Sequence, residues 1–401
     1  MSKKKTYNPF LKIVEIWLNE YKAIFHDTGV ITLFFIAVAI YPVLYLLAYD
    51  NELVKEVPVV VVDNDDSELS RKLISMLDAT DEVEVSYKVT NFNDARELFD
   101  ESKVYGVINI PDNFDDNIYQ SITATVSVYA DASYLIIYKQ IMTAANYSIG
   151  YLGAGVEIQR MISKKNQLEE AMLNRDPLPI ETYSLYNPRG GYASYVMPSV
   201  LLLILQQTLL LGLGLLGGTS KEKDEQHFLA PLGVKPGLAI STVIGKSLAY
   251  YSIYLLNAIY VFVIIFRIFN LPMRGNYFEM FVFITPFIFA VIYMGITIAS
   301  FFRKREHALI ILLFTSIPFV FLSGFSWPIE AMPLWEQYLA EIIPSSPAIK
   351  GFLALSQRGA HFSDVFHYWI HIWVLLLAYL ATASLLMRRL LLKNEKSKQL
   401  T

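Results

Sequence analysis

The stretch HFSDVFHYWIH, residues 361–371, is the most enzyme-like part of this sequence. Asp364, His367 and His371 fall at i, i+3 and i+7, which places them on one face of a helix, with His361 close by. Two imidazoles and a carboxylate on one face are a zinc ligand set, and bound zinc activates water for hydrolysis. The H-E-x-x-H pattern is not met, because Tyr368 stands where the glutamate belongs. Polar and aromatic residues are also what a membrane helix carries at headgroup level. The four residues stand as weak metal candidates, beside a default reading of no metal and no catalytic residue.

Other chemistry-bearing patterns fail on context. GLGLLG, Gly212 to Gly217, is a literal G-x-G-x-x-G, but an apolar run precedes it and charge follows, so no strand–turn–helix cradle for a dinucleotide can form. Small residues for close helix packing, including Gly214 and Gly218 at G-x-x-x-G spacing, explain it better. GKS at Gly245–Ser247 is the tail of a P-loop whose leading glycine is replaced by Ile240, so no nucleotide site is encoded there. DNDDSE at Asp63–Glu68 opens like a calcium loop, yet has Glu68 where the sharp turn needs glycine and Ile74 where the bidentate glutamate belongs. It reads as a helix cap.

The elements that carry these residues are apolar. Hydrophobic residues make up 54% of the 401 and charged residues 17%, a membrane-protein composition. A net charge of -4 gives no electrostatic case for nucleic acid, and the absence of cysteine removes disulfides and thiolate chemistry. Requiring about 20 apolar residues per crossing yields six transmembrane helices, at 30–49, 195–218, 241–269, 278–302, 308–326 and 368–392. The first has too long a charged lead-in, and no cleavage site after it, for a removed signal peptide.

Basic residues flank the spans unequally. Lys3, Lys4, Lys5, Lys12, Lys22, Lys221, Lys223, Lys235, Arg303, Lys304, Arg305, Arg388, Arg389, Lys393, Lys396 and Lys398 fall on one side. Arg274, Lys350 and Arg358 fall on the other. That asymmetry predicts that both termini, including a basic tail at 393–401, are cytoplasmic.

The expected organisation follows from these spans. Residues 1–28 hold an amphipathic helix with Lys12, Glu15, Asn19, Lys22 and His26 on its wet face and Trp17 on the other, lying along the membrane surface. Residues 50–190 are too many for a loop and alternate strand-like with helix-like pieces, which predicts an extracytoplasmic α/β domain with a long helical stalk. Residues 219–240 form a charged cytoplasmic segment, and residues 327–360 form re-entrant or interfacial helices anchored by Trp327, Trp335 and Tyr338. Inside the spans, Gln206, Gln207 and Asn257 are polar at positions suited to a translocation path. Lys246 and Arg267 lie near the ends of span three, from which their long side chains can snorkel to headgroups.

Two passages give the chain a family likeness. KEKDEQHFLAPLGVKPGLAISTVIGKSLAY, beginning at Lys221, is similar to the charged coupling segment and span-opening GK of permease subunits of the type-2 class of ATP-binding-cassette exporters. LSGFSWPIEAMPLWEQYLAEIIPSSPAIKG, beginning at Leu322, resembles the LSG-F-x-P-I-E-x-M-P passage of the same class. The order of amphipathic helix, large inserted domain and short external helices resembles it over essentially the whole length. The resemblance implies a permease without its own nucleotide site, dimeric or paired, in a bacterial inner or plasma membrane. Separate cytoplasmic ATPase subunits would bring ATP and magnesium, and a periplasmic adaptor is a further implied partner. The substrate would be amphipathic or hydrophobic, drug-like or lipid-like.

The same resemblance puts Glu222, Glu225, His227, Phe228 and Leu229 at the ATPase interface together with the helix around Trp17. Where the family often has R-E-x-G-T this chain reads K-E-K-D-E-Q-H, which leaves the register of the segment open. Two other readings fit the same topology. One is a membrane-anchored receptor or structural protein acting through its external domain; the other is a membrane metallohydrolase built on His361–His371.

Overall fold

The computed structural model describes residues 9–49, 53–163, 183–188, 190–222 and 234–400. The chain divides into two compact units, one made of residues 1–52 and 184–401, the other of Leu53–Tyr183.

The first unit is helical. Among the described residues it holds six helices long and apolar enough to cross a membrane: Thr28–Ala48, Tyr192–Glu222, Pro236–Ile268, Tyr277–Ala299, Arg305–Leu322 and Phe362–Lys393, spans one to six. Helix α1, Pro9–His26, precedes span one. Span two is the hub, with Leu201, Leu202, Leu205, Leu209 and Leu213 buried, and spans one, four and five pack on it. Gly218 shows why that packing needs small residues. A Cβ there would stand 2.7 Å from the Lys304 carbonyl and 2.9 Å from the Arg305 backbone, so only glycine lets span five start against span two. The apolar faces that stay exposed belong mostly to spans one, five and six, as expected of helices solvated by lipid rather than water.

Spans one and three each contain a π-helical turn, at Thr32–Ala37 and Tyr260–Ile265. Such turns leave carbonyls without an intrahelical donor, and in hydrocarbon each must find one elsewhere. In the span-one turn Asn257 Nδ2 donates to the Phe34 carbonyl at 2.9 Å, and just beyond that turn the Tyr260 hydroxyl donates to the Ala39 carbonyl at 2.9 Å. After span five come α2, Leu334–Glu341, and α3, Ser345–Ser356, both too short to cross a bilayer. Their fates differ. α2 exposes Leu334, Trp335 and Tyr338, whereas α3 is buried, with Phe352 4.6 Å from Phe262 of span three.

The second unit is a four-stranded sheet with helices on both faces. Strands β1 (Val57–Asp63), β2 (Val83–Val89), β3 (Gly106–Ile110) and β4 (Ser127–Ala130) lie in the order β2-β1-β3-β4. β2, β1 and β3 are parallel, and β4 is antiparallel to β3. VPVVVVD is apolar at nearly every position because β1 is covered twice. Val57, Val59 and Val61 face the helices Glu68–Asp78 and Leu135–Ser163, while Val60 and Val62 face the helix Phe92–Asp100. The helix expected as a stalk buries Ile141, Ala144 and Leu152 in this unit, so its first half is a layer of the α/β core. The remainder of the stalk expectation, 164–174, lies outside the described residues.

DNDDSE resolves into capping. Ser67 accepts the Ser70 amide, Asp63 accepts the amides of Asp65 and Asp66, and Asp65 accepts those of Phe114 and Asp115. Burial first, and then the neighbouring Asp65 carboxylate, push the Asp115 carboxyl up.

Candidate functional site

Two charged junctions tie the helices of the first unit together at the end where α1 lies. The first joins α1 to span three. Helix α1 has apolar residues at Ile16 and Ile24, four before and four after Glu20, so helical spacing puts a carboxylate on the packed face. Lys246 meets it, with its Nζ donating to Glu20 Oε2 at 2.6 Å, and both side chains are buried. The Tyr250 hydroxyl, one turn on, also donates to Glu20, and Tyr21 bonds Ser252.

The GK of span three is thereby explained. Gly245 admits α1, since a Cβ there would lie 2.9 Å from the Ile13 carbonyl, and Lys246 supplies the counter-charge. The expectation that Lys246 snorkels to headgroups is corrected. Its side chain is 1% exposed, because a carboxylate on α1 lies within reach and replaces the solvent the ammonium would otherwise seek. Arg267, by contrast, is exposed, with its guanidinium 5.9 Å from the Tyr277 ring centroid. The amphipathic helix therefore buries one face on protein as well as offering Leu11, Leu18 and Phe25 outward.

The second junction joins the start of span one to spans two and five. Arg305 grips Asp27 with two parallel bonds, Nη1 to Oδ2 at 2.5 Å and Nη2 to Oδ1 at 2.9 Å, and also donates to Thr219 Oγ1 at 2.8 Å. Its backbone N–H donates to Glu222 at 3.3 Å. Asp27 also caps span one by accepting the amides of Gly29 and Val30. Burial alone would raise the Asp27 carboxyl. The Arg305 guanidinium and the two amides outweigh it and hold the group below the usual carboxylate range. His26, Asp27, Thr219, Glu222 and Arg305 line an open cavity of about 490 Å³.

Of the expected interface residues, Glu222 is therefore at this second junction and Trp17 is on α1, half-buried against the helical core with its indole N–H unbonded among the described residues. Glu225, His227, Phe228 and Leu229 lie outside the described residues. The expected path residues go to separate partners. Gln206 is fully buried and donates to Ser345 of α3 at 3.1 Å, and Asn257 is committed to the Phe34 carbonyl. The Gln207 amide is unbonded among the described residues.

The metal candidates are not gathered. Asp364 accepts the His361 amide at 3.0 Å and so caps the start of span six, while His371 lies 3.2 Å from Glu341 of α2. Among the described residues no three His, Asp or Glu side chains come together as a metal site.

The family described as ABC-2 family transporter protein matches residues 28–385. The chain belongs to this family. As an ABC-2 transporter protein it is a multi-pass membrane permease.

Among curated proteins it is similar to ABC transporter G family member 20 of Dictyostelium discoideum, 23% identical over 77% of this chain and 41% of that protein. The chain thus spans less than half of that relative. It is also similar to two proteins of Escherichia coli strain K12. The probable multidrug ABC transporter permease YbhR is 23% identical over 81% of this chain and 84% of its own length. The inner membrane transport permease YhhJ is 20% identical over 83% and 85%. No solved structure matches.

Sequence reasoning missed Glu20, Asp27, Lys246 and Arg305 as a set. The readable signal was Glu20, a charge at i+4 and i−4 from buried isoleucines on an otherwise apolar stripe.

Proposed function

We propose that this ABC-2 permease exports an amphipathic or hydrophobic substrate, driven by ATP bound with magnesium on separate cytoplasmic ATPase subunits. The active form is a dimer of this chain, or a pair with a related permease, in a bacterial inner or plasma membrane. Its termini and residues 219–240 face the cytoplasm, and the α/β unit faces outward, where a periplasmic adaptor or the departing substrate meets it. Similarity to YbhR, a probable multidrug ABC transporter permease, supports a drug-like substrate.

The observation that carries the reading is the pair of junctions. Residues 223–233 connect Glu222, held at the Asp27–Arg305 ring, to span three, held by Glu20–Lys246. A push delivered to that segment by ATPase subunits drawing together reaches span two and span five through Arg305, and α1 through Lys246. The natural response of such a clamped set is a rigid-body shift between permease halves.

The test is co-purification. The full-length chain alone is expected to hydrolyse no ATP, and to gain substrate-stimulated hydrolysis when isolated with its ATPase. Phe228→Ala and Glu225→Ala lower that coupled hydrolysis while membrane insertion stays intact. Hydrolysis by the chain alone, or coupling unchanged in both variants, overturns the proposal.

A further inference from the structure

Spans one and three are interrupted where they touch. Span one carries its π turn at Thr32–Ala37 and then Pro42, which has no N–H to close the next turn. Span three carries its π turn at Tyr260–Ile265. Asn257, three residues ahead of that turn, and Tyr260, its first residue, supply the side chains bonded to the Phe34 and Ala39 carbonyls of span one. Interruptions of both kinds are recurrent sites of bending in otherwise straight helices.

The two sides of this region are held differently. Toward α1 both spans are clamped, span three by Glu20–Lys246 and the start of span one by Asp27–Arg305. Away from α1 span one is loosely held: of residues 43–49, Leu46 alone is buried, and Leu44, Tyr45 and Leu47 are exposed. Between the two, the Phe34 ring sits in a notch left by Gly212 of span two, where a Cβ would stand 2.1 Å from the ring. Gly212 offers bare backbone there, with no side chain to interlock with the ring. On span three the Phe34 ring meets Tyr254 edge-on at 5.2 Å.

We propose that residues 32–42 of span one and 257–265 of span three form a single joint. The ends of both spans away from α1 swing about it, with Phe34 as the bearing, while the ends toward α1 move as one clamped body. Phe262 and Phe266 lie 4.6 and 6.2 Å from Phe352, so the swing carries α3 with it. The force behind the swing rests on the ATPase-driven reading above; the place of the joint rests on the backbone alone.

Two measurements test it. The first needs no partner: hydrogen exchange of the full-length chain in lipid nanodiscs. Amides of 32–41 and 257–265 are expected to exchange about tenfold faster than those of 245–256, because openings concentrate where the helical ladder is interrupted. Equal protection overturns the joint. The second uses the complex with its ATPase and a short, cleavable bis-maleimide, in a chain that has no cysteine of its own. Tyr49→Cys with Tyr192→Cys, at rings 5.2 Å apart, pins the far end of span one to span two. The pin is expected to abolish substrate-stimulated hydrolysis and its cleavage to restore it, while either single variant treated with the reagent retains it. In the vanadate-trapped complex the yield of this cross-link falls, whereas that between Tyr21→Cys and Ser252→Cys, on the α1 side, stays the same. A harmless pin, or a yield that changes at Tyr21 and Ser252 and not at Tyr49 and Tyr192, overturns the assignment. An unlabelled complex without stimulated hydrolysis counts against the ATPase-driven reading instead, and the exchange measurement then decides the joint.

Discussion

Glu20 and Lys246, separated by 226 positions, meet at 2.6 Å inside the helical core. Removing one charge strands the other, which for buried pairs costs about 3–5 kcal/mol. Glu20→Ala and Lys246→Ala are each expected to lower the thermal midpoint in detergent by several degrees. Glu20→Leu combined with Lys246→Met recovers most of the loss, because two desolvation costs vanish along with the attraction. Fluorescence-detected melting reads this directly, and a double variant no better than the singles contradicts it.

The Asp27–Arg305 pair predicts a pH dependence with a definite sign. The folded carboxyl is held below its unfolded value, so its stabilisation is complete above the unfolded pKa of about 3.9 and is lost as pH falls through the lower, folded one. The melting difference between the unaltered chain and Asp27→Asn is therefore flat from pH 6 to pH 8, by the linkage argument, and shrinks below about pH 4. A difference that grows on acidification argues against the pair.

The amount of this arrangement that the sequence discloses follows from what each signal measures. Span existence is a matter of length and apolarity, so all six helices are legible, as is the doubly covered β1 in VPVVVVD. Pairing is not. A lysine near a span end looks identical whether it reaches a headgroup or a carboxylate on another helix, and nothing local to Lys246 discloses Glu20. Polarity in a span has two explanations, a pathway or a backbone partner, and Asn257 has the partner. The structure supplies a π-helical carbonyl at Phe34, which composition cannot reveal.

That carbonyl gives the next prediction. Asn257→Leu removes the side-chain donor to Phe34 O in a water-poor interior, a loss of about 0.6–1.7 kcal/mol by membrane-protein precedent. Asn257→Gln, which keeps the donor, is expected to lose less. Thermal melts in one detergent separate the two variants, and equal melting of Asn257→Leu and the unaltered chain shows that the bond contributes nothing.

Gly245 offers the strongest test of whether α1 transmits force or merely rests on span three. The Ile13 carbonyl and Ile16 Cβ, at 2.9 and 3.1 Å from where a Cβ would stand, belong to backbone and to a branch point, and neither can swing aside. Gly245→Leu must therefore push α1 outward. The chain has no cysteine, so a pair placed at Tyr21 and Ser252, which touch, reports docking through a short bis-maleimide without background labelling. The variant is expected to lose that cross-link and, in the complex with its ATPase, most substrate-stimulated hydrolysis, while inserting normally. Loss of the cross-link with full stimulation separates the two roles: α1 would then be an anchor, and the push would travel through Arg305 alone.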